Sequence, residues 1–205
     1  MSKPLIKTGF AEFDNEIGGL EPGQLYIIAA RPAVGKTSFA AQMCRNIGSD
    51  KTLLFTDCIQ SECRCEIMLT KINELADKLV AQSEKIKDCK ALFIDNFDNY
   101  LYSDSVIEHK RKAECNDVYL HLQTLAKDND MAIVVVCNLN RSADENPQNI
   151  NSNHIIRADW HLPFAKGVFL LSGNFADALN VAYTEPNSAE PVNFNFQLRF
   201  HLYSS

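Results

Sequence analysis

Ala30-Arg31-Pro32-Ala33-Val34-Gly35-Lys36-Thr37 lies between two runs of different character. Before it, Leu25-Tyr26-Ile27-Ile28-Ala29 is a short, continuous apolar run, the pattern of a buried strand. After it, Ser38-Phe39-Ala40-Ala41-Gln42-Met43-Cys44 has helix-forming composition. Strand, glycine-containing loop and helix is the context in which Gly-Lys-Thr binds phosphate. The first turn of a helix leaves backbone N–H groups unpaired, and the helix dipole adds partial positive charge there. A loop that wraps a phosphate brings those donors together on it. Ala30 to Ser38 therefore form the candidate nucleotide-binding segment. Gly35 permits close backbone approach, Lys36 brings a cation to the outer phosphates, and Thr37 offers a hydroxyl to Mg²⁺.

The flanking sequence extends this unit. Thr8-Gly9-Phe10-Ala11-Glu12-Phe13-Asp14 reads as a helix start with Thr8 as cap, Gly18-Gly19 as its stop, and Glu21-Pro22-Gly23 as a turn. Thr52–Thr56 and Ala91–Asp95 are further short strands, and Met131–Cys137 is the candidate central one. Helices are expected from Ser61 to about Lys78, with Ile67, Leu69, Ile72, Leu75 and Leu79 on its apolar side, and from Ser105 to Asp128. Val118, Leu122, Leu125 and Ala126 give the second of these its buried face. Asn138 to about Leu162 is polar and weakly periodic, as in a functional or mobile loop. Val168–Leu171, Ala178–Ala182 and Val192–Tyr203 read as late strands. Alternating strands and helices predict one domain over residues 1–205, an α/β fold with a doubly wound, mainly parallel sheet, and a ligand at the carboxyl ends of its strands.

Composition bounds the partners. The chain has 205 residues, 46% hydrophobic and 22% charged, with net charge −6, so any nucleic-acid contact must come from a local patch. Seven cysteines without disulfide spacing fit a reducing cytoplasm. Met1-Ser2-Lys3-Pro4 has no apolar region behind it, and no run approaches the length of a membrane span, so neither a signal peptide nor a membrane partner is expected.

Asp95 closes its strand with an acid, suited to the coordination sphere of a phosphate-loop Mg²⁺ or to opening the Asp95-Asn96-Phe97-Asp98 turn. Cys58, Cys63 and Cys65 show neither C-x-x-C spacing nor a nearby histidine, which favours small packed thiols over zinc. His109-Lys110-Arg111-Lys112 is either a solvated helix face or a DNA contact. Trp160 and His161 either stack on a base or anchor the loop.

Taken together, Thr8-Gly9-Phe10…Phe13-Asp14…Gly18-Gly19-Leu20-Glu21-Pro22-Gly23-Gln24-Leu25, Ala29-Ala30-Arg31-Pro32…Gly35-Lys36-Thr37, Leu92-Phe93-Ile94-Asp95, Leu122…Leu125-Ala126-Lys127 and Asn138-Leu139-Asn140-Arg141-Ser142 resemble the ATPase domain of DnaB-type replicative helicases, a RecA-like fold. That family commonly has alanine at the position of Ala30. The resemblance is strongest over the first 60 residues, weaker to residue 142, and faint beyond. It implies Mg·ATP as ligand, single-stranded DNA as substrate and a hexamer or helicase ring as assembly. The family's amino-terminal primase-binding domain has no counterpart here, so a stand-alone module is expected.

The resemblance also marks departures. Where the family has its glutamate general base, this chain has Cys58, preceded by Asp57. A thiol is a poor general base near neutral pH, and Asp57 is the acid left to take its place. Its side chain is shorter, and on a strand-like backbone it points to the opposite face. The γ-phosphate-sensing glutamine corresponds to Asn138, and the late lysine and arginine finger to Tyr183 and Glu185. An arginine finger is worth about 10³–10⁵ in rate, and a glutamate there would repel the transferring phosphoryl group. The resemblance therefore implies Lys36, Thr37, Asp95 and Asp57 as the catalytic set with weakened hydrolysis, or an ATP-holding pseudo-helicase that serves a replication partner.

Overall fold

Leu25–Ala30 form β1, and all six residues are buried. The computed structural model describes residues 3–56, 66–68, 73–100, 108–145, 149–174, 178–185 and 191–196. The remaining elements are α1 (Ala11–Glu16), α2 (Lys36–Ile47), β2 (Thr52–Thr56), β3 (Glu66–Met68), α3 (Asn73–Ala81), α4 (Ser83–Asp88), β4 (Ala91–Asp95), α5 (Phe97–Tyr100), α6 (Glu108–Asp128), β5 (Ala132–Asn138), α7 (Ala158–His161), β6 (Gly167–Asn174), β7 (Ala178–Thr184) and β8 (Val192–Phe196). They build one sheet in the order β3-β2-β4-β5-β1-β6-β7-β8. Strands β3 to β6 in that order are parallel, and β7 and β8 are antiparallel additions. This is the doubly wound, mainly parallel sheet with late antiparallel strands that the sequence predicts.

The central strands read as unbroken apolar runs because both faces are covered. Leu25, Ile27 and Ala29 of β1 share a cluster with Ile133, Val135 and Cys137 of β5, beneath Cys115, Tyr119 and Leu122 of α6. Tyr26, Ile28 and Ala30 point the other way and pack with Val134, Val136 and with Phe39, Ala40 and Met43 of α2. Phe13 of α1 closes this second face, with its ring centroid 5.0 Å from Phe169 and 5.3 Å from Tyr183.

The amino-terminal motif is structural. Asp14 accepts hydrogen bonds from Thr8 N, Thr8 Oγ1 and Gly9 N, each 2.9 Å. The N-cap of α1 is Phe10, so Thr8 is not the cap and instead braces the turn before it. Gly19, at φ 119°, lets the chain pass against the Ile6 carbonyl, where Ile6 and Leu20 form an isolated bridge.

Several expected boundaries move. Glu66–Met68 is a strand beside β2, which breaks the helix expected from Ser61, and the helix begins only at Asn73. A three-residue run is too short to carry a period that separates strand from helix. The expected loop from Asn138 to Leu162 contains short 3-10 turns, α7 and a bridge between Leu139 and Ile155. β8 ends at Phe196, and the expected continuation to Tyr203 lies outside the described residues.

Candidate nucleotide site at the carboxyl edge of the sheet

β1 delivers its carboxyl end between β5 and β6, where the chain turns into α2. Gly35 stands immediately before the helix at φ 105°, ψ 24°, a left-handed geometry that a side chain would strain. The first helical hydrogen bond runs from Phe39 N to Gly35 O at 2.9 Å. The amides of Lys36, Thr37 and Ser38 thus precede the helical ladder, as a phosphate cradle requires. Ala33, Gly35, Lys36, Thr37 and Ser38 line a cavity of about 240 Å³. Lys36 is 8% exposed, with Nζ 3.5 Å from the Arg31 carbonyl. Burial lowers its pKa, opposed by the charges of Asp95 and Asp98.

Asp95 ends β4 and is buried at 2% exposure, so it is no surface turn residue. Its register partner is Thr56, the last residue of β2, while Asn138 at the end of β5 is the register partner of Ala30. Three strand ends thereby converge on the loop. The Asn138 backbone N–H donates to Asp98 Oδ2, and Asp98 is also 2% exposed. Arg31 reaches from the loop to the chain beyond β5, with Nε donating to both oxygens of Asp144 and Nη1 to the Leu139 carbonyl at 2.9 Å.

Other expected site residues lie elsewhere. Asp57, Cys58, Cys63 and Cys65 are outside the described residues. β7 runs antiparallel, and the register Ile27–Val168–Thr184 puts Glu185 at the amino edge of the sheet, away from Ala30. Glu185 pairs with Lys166 at 3.3 Å, and Tyr183 is buried against Phe13 and Phe169, where burial pushes its phenol pKa far up. Trp160 and His161 do not stack on a base: both are buried, and the Arg157 guanidinium lies 4.7 Å from the Trp160 ring centre. They anchor the segment after β5. In the basic run, Lys112 pairs with Asp159 of α7.

Sequence reading missed one cluster. Asp98, Cys137 and His161 each offer one ligand atom within 4.8 Å of the others, all buried. The search for a histidine near Cys58 looked in the wrong place, because the juxtaposition joins α5, β5 and α7. The sole sequence signal was an acid in the turn after β4.

A phosphate-loop helix, an acid-tipped neighbouring strand and a parallel sheet finished by antiparallel strands define a RecA-like P-loop NTPase fold. Residues 6–62 match the family model of the DnaB-like helicase C terminal domain. The chain resembles the RecA-like ATPase domain of DnaB-type replicative helicases. It is 52% identical over 42 residues to the replicative DNA helicase DnaB of Buchnera aphidicola subsp. Baizongia pistaciae, covering 20% of this chain and 9% of the relative. With the Haemophilus influenzae replicative DNA helicase DnaB it shares 45% over 51 residues, 24% of this chain and 11% of that one. The match thus spans about a tenth of these relatives' length. Among solved structures, an isolated ATPase domain superposes with TM-score 0.68 at 13% identity, over 93% of this chain and 86% of that one. A DnaB-like replicative helicase, solved in a study of its interactions with primase, gives TM-score 0.75 at 13% identity over 95% and 60%. Among the described residues, no helix is long and apolar enough to cross a membrane.

Proposed function

We propose that residues 1–205 form a single ATP-binding domain of the replicative-helicase type, acting in the cytoplasm on single-stranded DNA during replication. One observation carries this reading: buried Lys36 and buried Asp95 face the same strand-end cradle that begins at Gly35. Ala30 to Ser38 hold the phosphates, with Lys36 neutralising the outermost. The donor set at this edge fits Mg²⁺, a hard cation that takes oxygen ligands: Thr37 and Asp95 would hold it. When bound, Mg²⁺ bridges phosphate oxygens and offsets their charge. Asp57 is the acid assigned to the attacking water, and Asn138 stands where the γ-phosphate is sensed. With Cys58 in place of the family's glutamate, turnover is slow relative to binding.

A second reading is favoured by the finger positions. Tyr183 is committed to the core and Glu185 to Lys166, so neither supplies a cation to a neighbouring subunit. On that reading the domain joins a helicase ring or another replication partner as a nucleotide-dependent scaffold.

Steady-state ATP turnover with and without single-stranded DNA, beside Lys36→Ala, separates the two. DNA-stimulated turnover that requires Lys36 supports the motor. Lys36-dependent nucleotide binding without turnover leaves the scaffold, and a Lys36→Ala variant that binds like the parent chain overturns both.

A further inference from the structure

Behind the candidate phosphate site, on the α6 face of the sheet, four polar side chains meet in an otherwise apolar region. Asp98 comes from α5, Cys137 from β5, His161 from α7 and Tyr119 from α6. Their outward-facing atoms are satisfied: Asp98 Oδ2 accepts the Asn138 N–H, and His161 Nδ1 lies 2.7 Å from the Tyr119 hydroxyl. The inward-facing atoms are not. Asp98 Oδ1 and His161 Nε2 are both buried without a hydrogen-bond partner, 3.5 Å apart. Cys137 Sγ lies within 4.8 Å of both.

We propose that Asp98 Oδ1, His161 Nε2 and Cys137 Sγ form a zinc site, with a water completing the tetrahedron. Two tetrahedral zinc ligands, nitrogen at about 2.0–2.1 Å and oxygen at about 2.0–2.2 Å from the metal, stand about 3.4 Å from each other. The Asp98–His161 separation is 3.5 Å, so these two need almost no movement and the sulfur a modest one. A mixed N, O, S set suits zinc rather than Mg²⁺ or Ca²⁺. The hydroxyl of Tyr119 accepts the Nδ1 proton, which fixes the tautomer that leaves Nε2 free to ligate. Binding displaces one proton from the Cys137 thiol. The carboxylate and thiolate then balance the dication, which removes the cost of a lone buried carboxylate. The site ties three elements together and sets the end of β5, since Asp98 holds the Asn138 amide.

The test uses the full chain, stripped with chelator and titrated without nucleotide, so its outcome is independent of the phosphate loop. Co²⁺ is the spectroscopic probe and Zn²⁺ the competitor. The expected result is one equivalent of Co²⁺ with a thiolate-to-cobalt charge-transfer band that Zn²⁺ displaces. Cys137→Ser abolishes the band, and Asp98→Asn weakens binding about tenfold or more. A variant with Cys58, Cys63 and Cys65 all changed to Ser keeps the band, which tests the site even if Cys137→Ser fails to fold. No band in the parent chain, a band that survives Cys137→Ser, or a band lost in the triple variant overturns the proposal.

Discussion

Arg31 grips Asp144 through both carboxylate oxygens, with Nε 2.9 Å from Oδ1 and 3.0 Å from Oδ2. This joins the middle of the phosphate loop to the segment that follows β5. Both side chains are partly solvated, 24% and 56% exposed, and such pairs are worth about 0–1 kcal/mol. Arg31 also donates to the part-buried Leu139 carbonyl, a bond worth about 1 kcal/mol. Asp144→Ala is therefore expected to lower stability by less than about 1 kcal/mol. Arg31→Ala costs more, because it also strands the carbonyl. A double-mutant cycle in denaturant measures the pair.

Lys36 opposes folding in the absence of ligand. Burial lowers its pKa from 10.5, and the attraction of Asp95 and Asp98 does not fully compensate. The charged form is disfavoured in the folded state, so the penalty is complete at neutral pH. It fades as pH rises through the lowered folded-state pKa towards the unfolded value. Lys36→Met should raise the ligand-free melting temperature by about 2–4 °C, the equivalent of about 1 kcal/mol, and the gain should shrink in alkali. The same variant should lose all stabilisation by ATP. A melting temperature below that of the parent chain would show that the two carboxylates dominate.

Asp14 collects three hydrogen bonds from Thr8 and Gly9. Bonds to a charged acceptor contribute about 1.5–3 kcal/mol each, and Asp14→Ala leaves their donors near water, so a loss of about 1.5–3 kcal/mol is expected overall. Asp14→Asn should recover part of it. Urea denaturation of both variants checks the order.

Restoring the family's lysine at position 183 should not restore activity. Tyr183 is 4% exposed and packs against Phe13, Phe169 and the backbone of Gly167. Tyr183→Lys buries a cation among aromatic rings and should cost several kcal/mol, read by thermal unfolding. Tyr183→Phe should be close to neutral.

The elements around the phosphate loop were legible because each carries its own local signal. β1, β2, β4 and β5 are uninterrupted apolar runs, and Gly35-Lys36-Thr37 marks the helix start without reference to the rest of the chain. The segment after β5 was not legible. Its turns are held by Asn140, which accepts from Ser142 N at 3.1 Å, and by Asn151, which accepts from Asn153 N at 3.0 Å. Read as composition, those asparagines suggest a mobile loop. Read as caps, with Ile155, Trp160 and Leu162 between and after them, they suggest an anchored one. The Asp98–Cys137–His161 cluster was invisible for a different reason: only the order of strands and the packing of α7 bring its members together. α6 shows both effects. Its expected face at Leu122 and Ala126 is buried, while Cys115 and Tyr119, equally buried, were not anticipated.

The central claim is that this chain binds Mg·ATP at the loop ending in Lys36 and Thr37. Equilibrium titration of the full chain with ATP and Mg²⁺, beside Lys36→Ala, tests it most directly. The account predicts saturable, Mg²⁺-dependent binding that Lys36→Ala weakens by about a hundredfold, equal to about 2.7 kcal/mol. Equal affinity in the two proteins, or no binding by either, would contradict it.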